Sequence, residues 1–222
     1  MKRITIIAGH YGSGKTNIAI NYALMLKKIK CSVLLVDLDI VNPYFRAADS
    51  KMLLNEHEID VICSDYVNSN VDFPAIPSSI YSIIDNKDKH VVIDLGGDDR
   101  GAYALGRYKD SILEEDNYQM LWVINKYRPL TSSEDDTLDI QKSIEKAAGL
   151  KFTGIVNNSN LGKETTADDI VNSYDYATNI SEVTGLPIKY TTVADFVGCK
   201  NIKIFRTNSE DMLKIKLQDY EI

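Results

Sequence analysis

The chain has 222 residues, of which 44% are hydrophobic and 26% are charged, a composition typical of a folded globular protein with its own core. Its formal net charge of -7 argues against a general affinity for nucleic acid or anionic lipid, since both require clustered positive charge. The first apolar run is too short for a signal peptide, no stretch is long enough to cross a bilayer, and three scattered cysteines indicate neither a zinc site nor a disulfide framework. We therefore expect a cytoplasmic protein.

Apolar, strand-like runs alternate with helix-like segments along the chain. The first predicted helix, 15–29, carries its apolar residues on one side. Strands separated by helices are typical of βαβ units with parallel pairing. The pattern predicts one α/β domain over residues 1–222, with a mostly parallel sheet and helices on both faces. The predicted strands cover residues 3–8, 32–38, 59–63, 90–95, 119–125, 152–157 and 187–191.

Polar residues and glycines mark the expected helix ends. Thr131 and Thr165 each stand three residues before an acidic residue, which predicts capping boxes at these two positions. Gly149 and Gly185 follow the same helices, where a left-handed C-cap is expected. The last stretch, 210–222, has mixed charge and predicts a surface helix or strand.

A glycine-rich loop follows the first predicted strand and precedes the first helix. It reads GHYGSGKT and matches G-x-x-x-x-G-K-[ST], in which backbone N–H groups and a helix N-terminus cradle phosphate. Lys15 would reach the β- and γ-phosphates, and the Thr16 hydroxyl would ligate Mg²⁺. The loop predicts a nucleotide site with the binding residues Gly9, His10, Tyr11, Gly12, Ser13, Gly14, Lys15, Thr16 and Asn17.

Two further segments place acids at the ends of predicted strands. VDLDIVNP carries Asp37 and Asp39, and VVIDLGGDD ends its strand on Asp94. The second segment is a Walker B pattern that also fits D-x-x-G, where a glycine N–H can sense the γ-phosphate. Carboxyl ends of parallel strands meet beside the phosphate site. One acid of the first pair can therefore orient a water or a substrate hydroxyl while the other supports the metal.

In this order the three segments resemble the MinD/ParA/CobB-type P-loop ATPases, the class that contains nitrogenase iron protein and dethiobiotin synthetase. DLDIVNPYF and NNSNLG are similar to a bacterial branch of that class described only as nucleotide-binding. The resemblance covers roughly residues 1–200. It implies Mg²⁺-dependent ATP hydrolysis, with Lys15 and Asp39 as catalytic residues and Asp39 positioning the attacking water. The implied metal residues are Thr16, Asp37 and Asp94, the last being the Walker B acid.

Two asparagine-containing stretches compete as the base site. The class usually reads adenine with an asparagine after a later strand, and the matching stretch IVNN implies Asn157 or Asn158 at the base edge. Alternatively, these asparagines only cap a strand. The rival stretch NKYR begins at Asn125 like the guanine-reading N-K-x-D, but Arg128 stands where an acid should accept from guanine. We therefore expect ATP rather than GTP.

His10 marks a departure from the class. Many dimeric members carry a lysine directly after the first glycine of the loop, and that lysine reaches the partner's phosphates. Histidine is shorter and mostly uncharged at neutral pH, which puts the cross-dimer mechanism in doubt. His10 either contacts the γ-phosphate or a partner, or is a polar loop residue facing solvent. Because the chain has no paired-cysteine motif, we expect no iron–sulfur cluster.

The leading hypothesis is an ATPase with slow hydrolysis whose nucleotide state reshapes the loops 39–46 and 94–101 and so controls a protein partner, or a homodimer. The alternative is an ATP-dependent small-molecule kinase or a ligase like dethiobiotin synthetase, with the irregular segment 64–80 covering an acceptor. A nucleotide-binding module without hydrolysis is disfavoured by Asp39 and Asp94. We expect neither a nucleic acid nor a membrane among its partners.

Overall fold

The structure, a computed structural model, describes residues 1–39, 51–63, 87–96, 99–197 and 212–215. Its strands form one sheet in the order β3-β2-β4-β1-β5-β6-β7-β8, and neighbouring strands pair in parallel throughout. The strands are β1 (Ile4–Gly9), β2 (Val33–Leu38), β3 (Asp60–Cys63), β4 (His90–Leu95), β5 (Tyr118–Ile124), β6 (Gly154–Asn157), β7 (Ile188–Ala194) and β8 (Met212–Ile215).

In the described parts of the chain, helices lie between β1 and β2, β2 and β3, β4 and β5, β5 and β6, and β6 and β7, as is usual for parallel pairing. They are α1 (Lys15–Lys28), α2 (Lys51–Glu56), α3 (Asp99–Gly106), α4 (Lys109–Glu115), α5 (Glu134–Ala148), α6 (Ala167–Asn172) and α7 (Tyr174–Thr184). Two short 3₁₀ turns, Pro129–Thr131 and Gly162–Glu164, precede α5 and α6.

The core lies on both faces of the sheet. Successive side chains of a strand point to opposite faces, and in β1 the side chains of Ile6 and Ile7 belong to two separate buried clusters. One cluster contains residues of α1 and α2, and the other contains residues of α3, α4, α5 and α7. Helices therefore cover both faces, which confirms the predicted α/β class.

The capping box predicted at Thr131 is wrong by two residues. Helix α5 begins after Ser133, whose hydroxyl accepts a hydrogen bond from the backbone N–H of Asp136. Thr131 instead ends a 3₁₀ turn, and its hydroxyl donates a 2.6 Å hydrogen bond to the backbone carbonyl of Asn125. The threonine closes the loop after β5 and does not start the helix.

The capping box predicted at Thr165 is wrong by one residue. Thr166 caps α6 and forms the reciprocal pair with Asp169, while the Thr165 hydroxyl donates to the carbonyl of Gly162 at 2.6 Å. The left-handed C-caps are confirmed, because Gly149 has a φ of 65° and Gly185 a φ of 70°.

The C-terminal segment contributes β8, which pairs with β7 at the edge of the sheet. Residues 40–46 of the predicted switch loop and the segment 64–80 lie outside the described residues. In the part of the chain that is described, no helix combines the length and the apolar character needed to span a membrane.

Candidate functional site

The glycine-rich loop leaves the carboxyl end of β1, in the middle of the sheet, between β4 and β5. In the strand register, Asp94 of β4 is paired with Ile7 of β1 on one side and with Asp37 of β2 on the other. The two predicted acidic segments and the loop therefore meet at one edge, as the sequence predicts.

Two glycines of the loop have no room for a side chain. A Cβ on Gly9 would stand 2.3 Å from the carbonyl oxygen of Val123, and a Cβ on Gly14 would stand 2.3 Å from Nδ2 of Asn158. Gly14 also has a φ of 90°, in the left-handed region that favours glycine. The loop packs so closely against the ends of β5 and β6 that only glycine fits at these positions.

Helix α1 begins directly after the loop, with Gly14 as its N-cap. No side chain caps this end, and its first turn contains no acid. The first N–H groups of a helix lack intrahelical partners and carry partial positive charge. The start of α1 can therefore bind an anion, as a phosphate cradle must.

Lys15 is folded back into the loop. Its side chain is buried, and Nζ donates a 3.2 Å hydrogen bond to the backbone carbonyl of His10. The same carbonyl accepts a 3.1 Å hydrogen bond from the N–H of Ser13. The ammonium group is thus held over the loop that would receive the phosphates.

His10 is half-buried, and its Nδ1 has no hydrogen-bond partner among the described residues. Burial lowers the pKa of His10 below its ordinary value, and the nearby charge of Lys15 lowers it further. The imidazole is therefore neutral at neutral pH and does not supply the charge that a lysine would. Contact of His10 with phosphate or with a partner stays a prediction.

Three acids are buried at the ends of β2 and β4. Asp37, Asp39 and Asp94 have exposed fractions of 3%, 8% and 1%. The backbone N–H of Asp39 donates a 2.9 Å hydrogen bond to Oδ1 of Asp37, which fixes the turn after β2. Among the described residues neither carboxylate oxygen of Asp94 has a hydrogen-bond partner of normal geometry.

Burial raises the pKa of Asp94, and the negative charge of Asp37 raises it further. Lys15 and the Thr16 hydroxyl oppose this rise but do not cancel it. A buried carboxylate is destabilising until a proton or a metal cation neutralises it. This corner of the site is therefore suited to a cation.

The described residues contain no group of three His, Cys, Asp or Glu side chains arranged to hold a metal by themselves. Mg²⁺ at nucleotide sites is usually held by one or two carboxylates, with phosphate oxygens and water completing the shell. The unpartnered oxygens of Asp94 beside Thr16 and Asp37 fit such a shared shell.

The side-chain amide of Asn157 forms hydrogen bonds within the protein. Nδ2 donates to the hydroxyl of Ser173 at 3.0 Å, and Oδ1 accepts from the hydroxyl of Ser159 at 2.7 Å. Asn157 is buried. The base-edge role predicted for it stays a prediction, and it would require these bonds to be exchanged.

The side-chain amide of Asn158 also forms hydrogen bonds within the protein. Nδ2 donates to the backbone carbonyl of Ser13 at 2.7 Å, and Oδ1 accepts from the hydroxyl of Thr192 at 2.5 Å. The side chain therefore links the glycine-rich loop to β7. Sequence reasoning missed this link, since nothing in the local pattern points to a partner 145 residues away.

Asn125, at the end of β5, differs from the other two asparagines. Its Oδ1 accepts from the backbone N–H of Tyr127 at 3.0 Å, but Nδ2 is buried and has no partner among the described residues. The structure thus leaves a free amide donor at the rival base site. In the sequence, the resemblance of NKYR to the start of N-K-x-D had indicated Asn125 as a base-site residue.

Unpartnered buried polar atoms concentrate around the loop. In the described part of the chain six side-chain atoms are buried without a hydrogen bond, and five of them belong to His10, Ser13, Asp94 and Asn125. Buried polar groups are normally satisfied, so unsatisfied ones call for an explanation such as a ligand or an ion. These four residues follow or end three adjacent strands, β4, β1 and β5.

The family model CbiA, the CobQ/CobB/MinD/ParA nucleotide binding domain, matches residues 4–170. The chain belongs to this family. The match covers the loop, both acidic segments and the asparagine stretches, and it confirms the resemblance drawn from the three motifs. The CobQ/CobB/MinD/ParA domain is a P-loop nucleotide-binding domain, and the chain is a P-loop NTPase of this kind.

Solved structures share the fold. The first is the cell division protein FtsY of Thermotoga maritima (TM-score 0.59, 23% identity), for which the alignment covers 97% of this chain and 65% of that one. Chloroplast FtsY of Physcomitrella patens gives 0.59 and 15%, covering 99% and 63%. The signal recognition particle receptor FtsY of Elizabethkingia anophelis in complex with GDP gives 0.56 and 16%, covering 95% and 62%.

The chain thus spans less than two thirds of the length of these FtsY structures. At such identities the likeness concerns the fold alone. No curated protein matches the sequence significantly.

Proposed function

We propose that the chain is a single nucleotide-binding domain over residues 1–222 that binds ATP with Mg²⁺ and hydrolyses it slowly. The observation that carries this proposal is the cluster of buried, unpartnered polar atoms on His10, Ser13, Asp94 and Asn125 around the loop. A single sheet drawn from residues 4 to 215 supports one domain.

Each residue of the site has a role that its position supports. The uncapped start of α1 and the Lys15 ammonium bind the phosphates. Thr16, Asp37 and Asp94 hold Mg²⁺, which, when bound, neutralises charge on the phosphate oxygens. Asp39 follows β2 on a turn fixed by Asp37, and it orients the attacking water.

The base site favours adenine over guanine. Recognition of guanine by an N-K-x-D stretch needs a carboxylate at the fourth position, but Arg128 occupies it and a guanidinium has no acceptor atom. The free Nδ2 of Asn125 can donate to a ring nitrogen of either purine. One FtsY structure contains GDP, but at 16% sequence identity the similarity to this chain concerns the fold and not the choice of base.

A switch acting on a protein partner, or on a second copy of the chain, is supported by the packing of α3. A Cβ on Gly101 would stand 3.0 Å from the backbone nitrogen of Gly96 and 3.1 Å from the carbonyl of Leu38. Helix α3 therefore rests directly on the ends of β4 and β2, next to Asp94 and Asp39. A shift of either strand end on hydrolysis would move α3, the kind of element through which a cytoplasmic switch signals.

Nucleotide binding and phosphate release by the purified chain test this function. We expect tighter binding of ATP than of GTP, and slow release of phosphate from ATP with Mg²⁺ and no acceptor. Lys15→Ala removes both. Lys28→Ala makes the same charge change at the exposed far end of α1 and serves as the matched control.

Asp39→Ala separates hydrolysis from binding. We expect this variant to bind ATP as the unchanged chain does and to release no phosphate, while Asp60→Ala at an exposed position of β3 leaves both unchanged. Tighter binding of GTP, or phosphate release that persists in Lys15→Ala, would contradict the proposed function.

A further inference from the structure

The loop after β5 holds Arg128 in a fixed backbone position. Its N–H donates to the carbonyl of Asn125 at 3.3 Å, and its carbonyl accepts from the N–H of Thr131 at 3.0 Å. Pro129 follows and restricts the preceding residue to extended conformations, which agrees with the φ of -100° and ψ of 136° of Arg128. The backbone is anchored on both sides while the side chain is exposed.

The side chain of Arg128 lies on the glycine-rich loop. The point where a Cβ would stand on Gly12 is 3.7 Å from Nε, 3.8 Å from Cδ and 3.9 Å from Cζ of Arg128. A side chain on residue 12 would thus be in van der Waals contact with Arg128, so the guanidinium lies beside Gly12 on the side where a Cβ would point. Within the described ranges, the guanidinium makes no ion pair and no hydrogen bond.

We propose that Arg128 binds the phosphate chain of the nucleotide on this loop, as a second cation beside Lys15. This inference rests on the proposed function. A phosphate that accepts hydrogen bonds from the loop N–H groups lies about 3 Å from the backbone, within reach of a guanidinium that lies beside Gly12. Arginine is suited to this contact because its planar fork pairs with two phosphate oxygens.

Besides Lys15 and the proposed Mg²⁺, the negative charges at the site favour a second cationic side chain. Lys15 lies close enough to the buried Asp94 to lower its pKa, Asp37 and Asp39 are buried beside that acid, and an incoming polyphosphate adds further negative charge. Arg128 approaches from β5, whereas Asp37 and Asp39 follow β2, on the opposite side of β1 in the sheet. The positive charge of Arg128 can therefore act on the bound ligand and not on Asp37 and Asp39.

Titration of MgATP, MgADP and adenosine into the full chain tests the proposal. We expect Arg128→Ala to weaken MgATP and MgADP about tenfold or more, to leave adenosine unchanged, and to make binding of MgATP less dependent on salt. Arg128→Lys keeps the charge but loses the fork and is expected to fall in between.

Arg107→Ala is the matched control. Arg107 is exposed and directly follows Gly106, which packs on the carbonyls of Ala147 and Ala148. Ala147 and Ala148 form the C-terminal end of α5, far from Ser133 and from the loop after β5. We therefore expect Arg107→Ala to bind MgATP, MgADP and adenosine as the unchanged chain does.

The outcomes separate this inference from the proposed function. If MgATP binds with Lys15 dependence but Arg128→Ala behaves like Arg107→Ala, the role of Arg128 is wrong and the function stands. Equal weakening of adenosine and MgATP would also overturn the role. If the unchanged chain binds no nucleotide, both are overturned. Should Arg128→Ala not fold, Arg128→Gln and Arg128→Lys carry the same comparison.

Discussion

The side chain of Asn158 ties the glycine-rich loop to the far half of the sheet through the carbonyl of Ser13. Nδ2 of Asn158 donates a 2.7 Å hydrogen bond to this carbonyl, and the same nitrogen closes the space where a Cβ of Gly14 would stand. On its other side Asn158 accepts from Thr192 of β7. The position of the loop therefore depends on a residue outside the loop motif.

Gly14→Ala is expected to weaken ATP binding at least tenfold, which corresponds to about 1.4 kcal/mol. The new Cβ would meet Asn158 Nδ2 at 2.3 Å, so the loop or the Asn158 amide that holds it has to shift. Gly162→Ala is the control, because Gly162 also has a positive φ but nothing lies within 4 Å of its Cβ position. It should lose about 1 kcal/mol of stability and keep its ATP affinity. Equal ATP affinities of the two variants, measured by titration, would refute the steric account.

Asn158→Ala is expected to restore part of the binding that Gly14→Ala loses. The single change Asn158→Ala removes two buried hydrogen bonds, one to the carbonyl of Ser13 and one from the hydroxyl of Thr192, each worth about 1 kcal/mol, but it also opens the space beside Gly14. The double variant should therefore bind ATP more tightly than the sum of the two single effects predicts. Titration of all four proteins completes the cycle, and strict additivity would argue against a direct contact.

Asp94→Asn is expected to stabilise the nucleotide-free protein by about 1 kcal/mol or more, since it replaces a buried acid whose pKa burial and Asp37 raise by a neutral group of similar shape. The same change should remove the effect of Mg²⁺ on ATP affinity. Urea unfolding and titration with and without Mg²⁺ measure the two effects. Asp60→Asn, at an exposed acid paired with Lys89, should change stability by less than about 0.5 kcal/mol. A less stable Asp94→Asn with intact Mg²⁺ dependence would disprove this view.

The ion pair between Arg3 and Glu115 is expected to make stability depend on pH. The hydrogen bond from Arg3 lowers the pKa of Glu115 below its ordinary value of 4.5. The pair therefore stabilises the fold fully above that value, and the stabilisation is lost as the pH falls through the lower pKa of the folded state. Glu115→Gln should cost about 2 kcal/mol at pH 7 and nothing below the folded pKa.

Urea unfolding at several pH values between 2 and 7 measures this pH dependence. Glu114→Gln, at the exposed neighbouring position, is the control and should follow the unchanged chain at every pH. A constant difference between Glu115→Gln and the unchanged chain over this range would contradict the assignment.

The fold could be predicted because it depends on patterns within short windows. Buried parallel strands are continuous apolar runs, and the seven predicted runs correspond to β1 to β7 within three residues at each end. The helix starts were placed less well because neighbouring threonines and serines have equal capping chemistry. The hydroxyls of Thr131 and Thr165 donate hydrogen bonds to the backbone carbonyls of Asn125 and Gly162 instead. The residue pattern alone does not distinguish these bonds from a helix cap.

The candidate site could be predicted only as far as its motifs reach. The loop and the acids are read from spacing, and the sheet brings them together by its topology. The hydrogen bonds of the Asn157 and Asn158 amides could be foreseen only in part. Ser159 is a near neighbour of Asn157, but Ser173, Thr192 and the carbonyl of Ser13 lie in other parts of the sequence. The position of Arg128 beside Gly12 was equally hidden, since the two residues follow two different strands.

The hydrogen bond from Lys15 Nζ to the carbonyl of His10 affects both the affinity and the selectivity of anion binding. A free lysine side chain loses up to about 2 kcal/mol of rotamer entropy when it is immobilised. Here folding has already immobilised it, so an arriving anion exchanges one acceptor for another and the lysine need not be ordered again. Preorganisation of this kind favours affinity. It also sets a threshold, because only an acceptor that competes with a peptide carbonyl will draw the ammonium away.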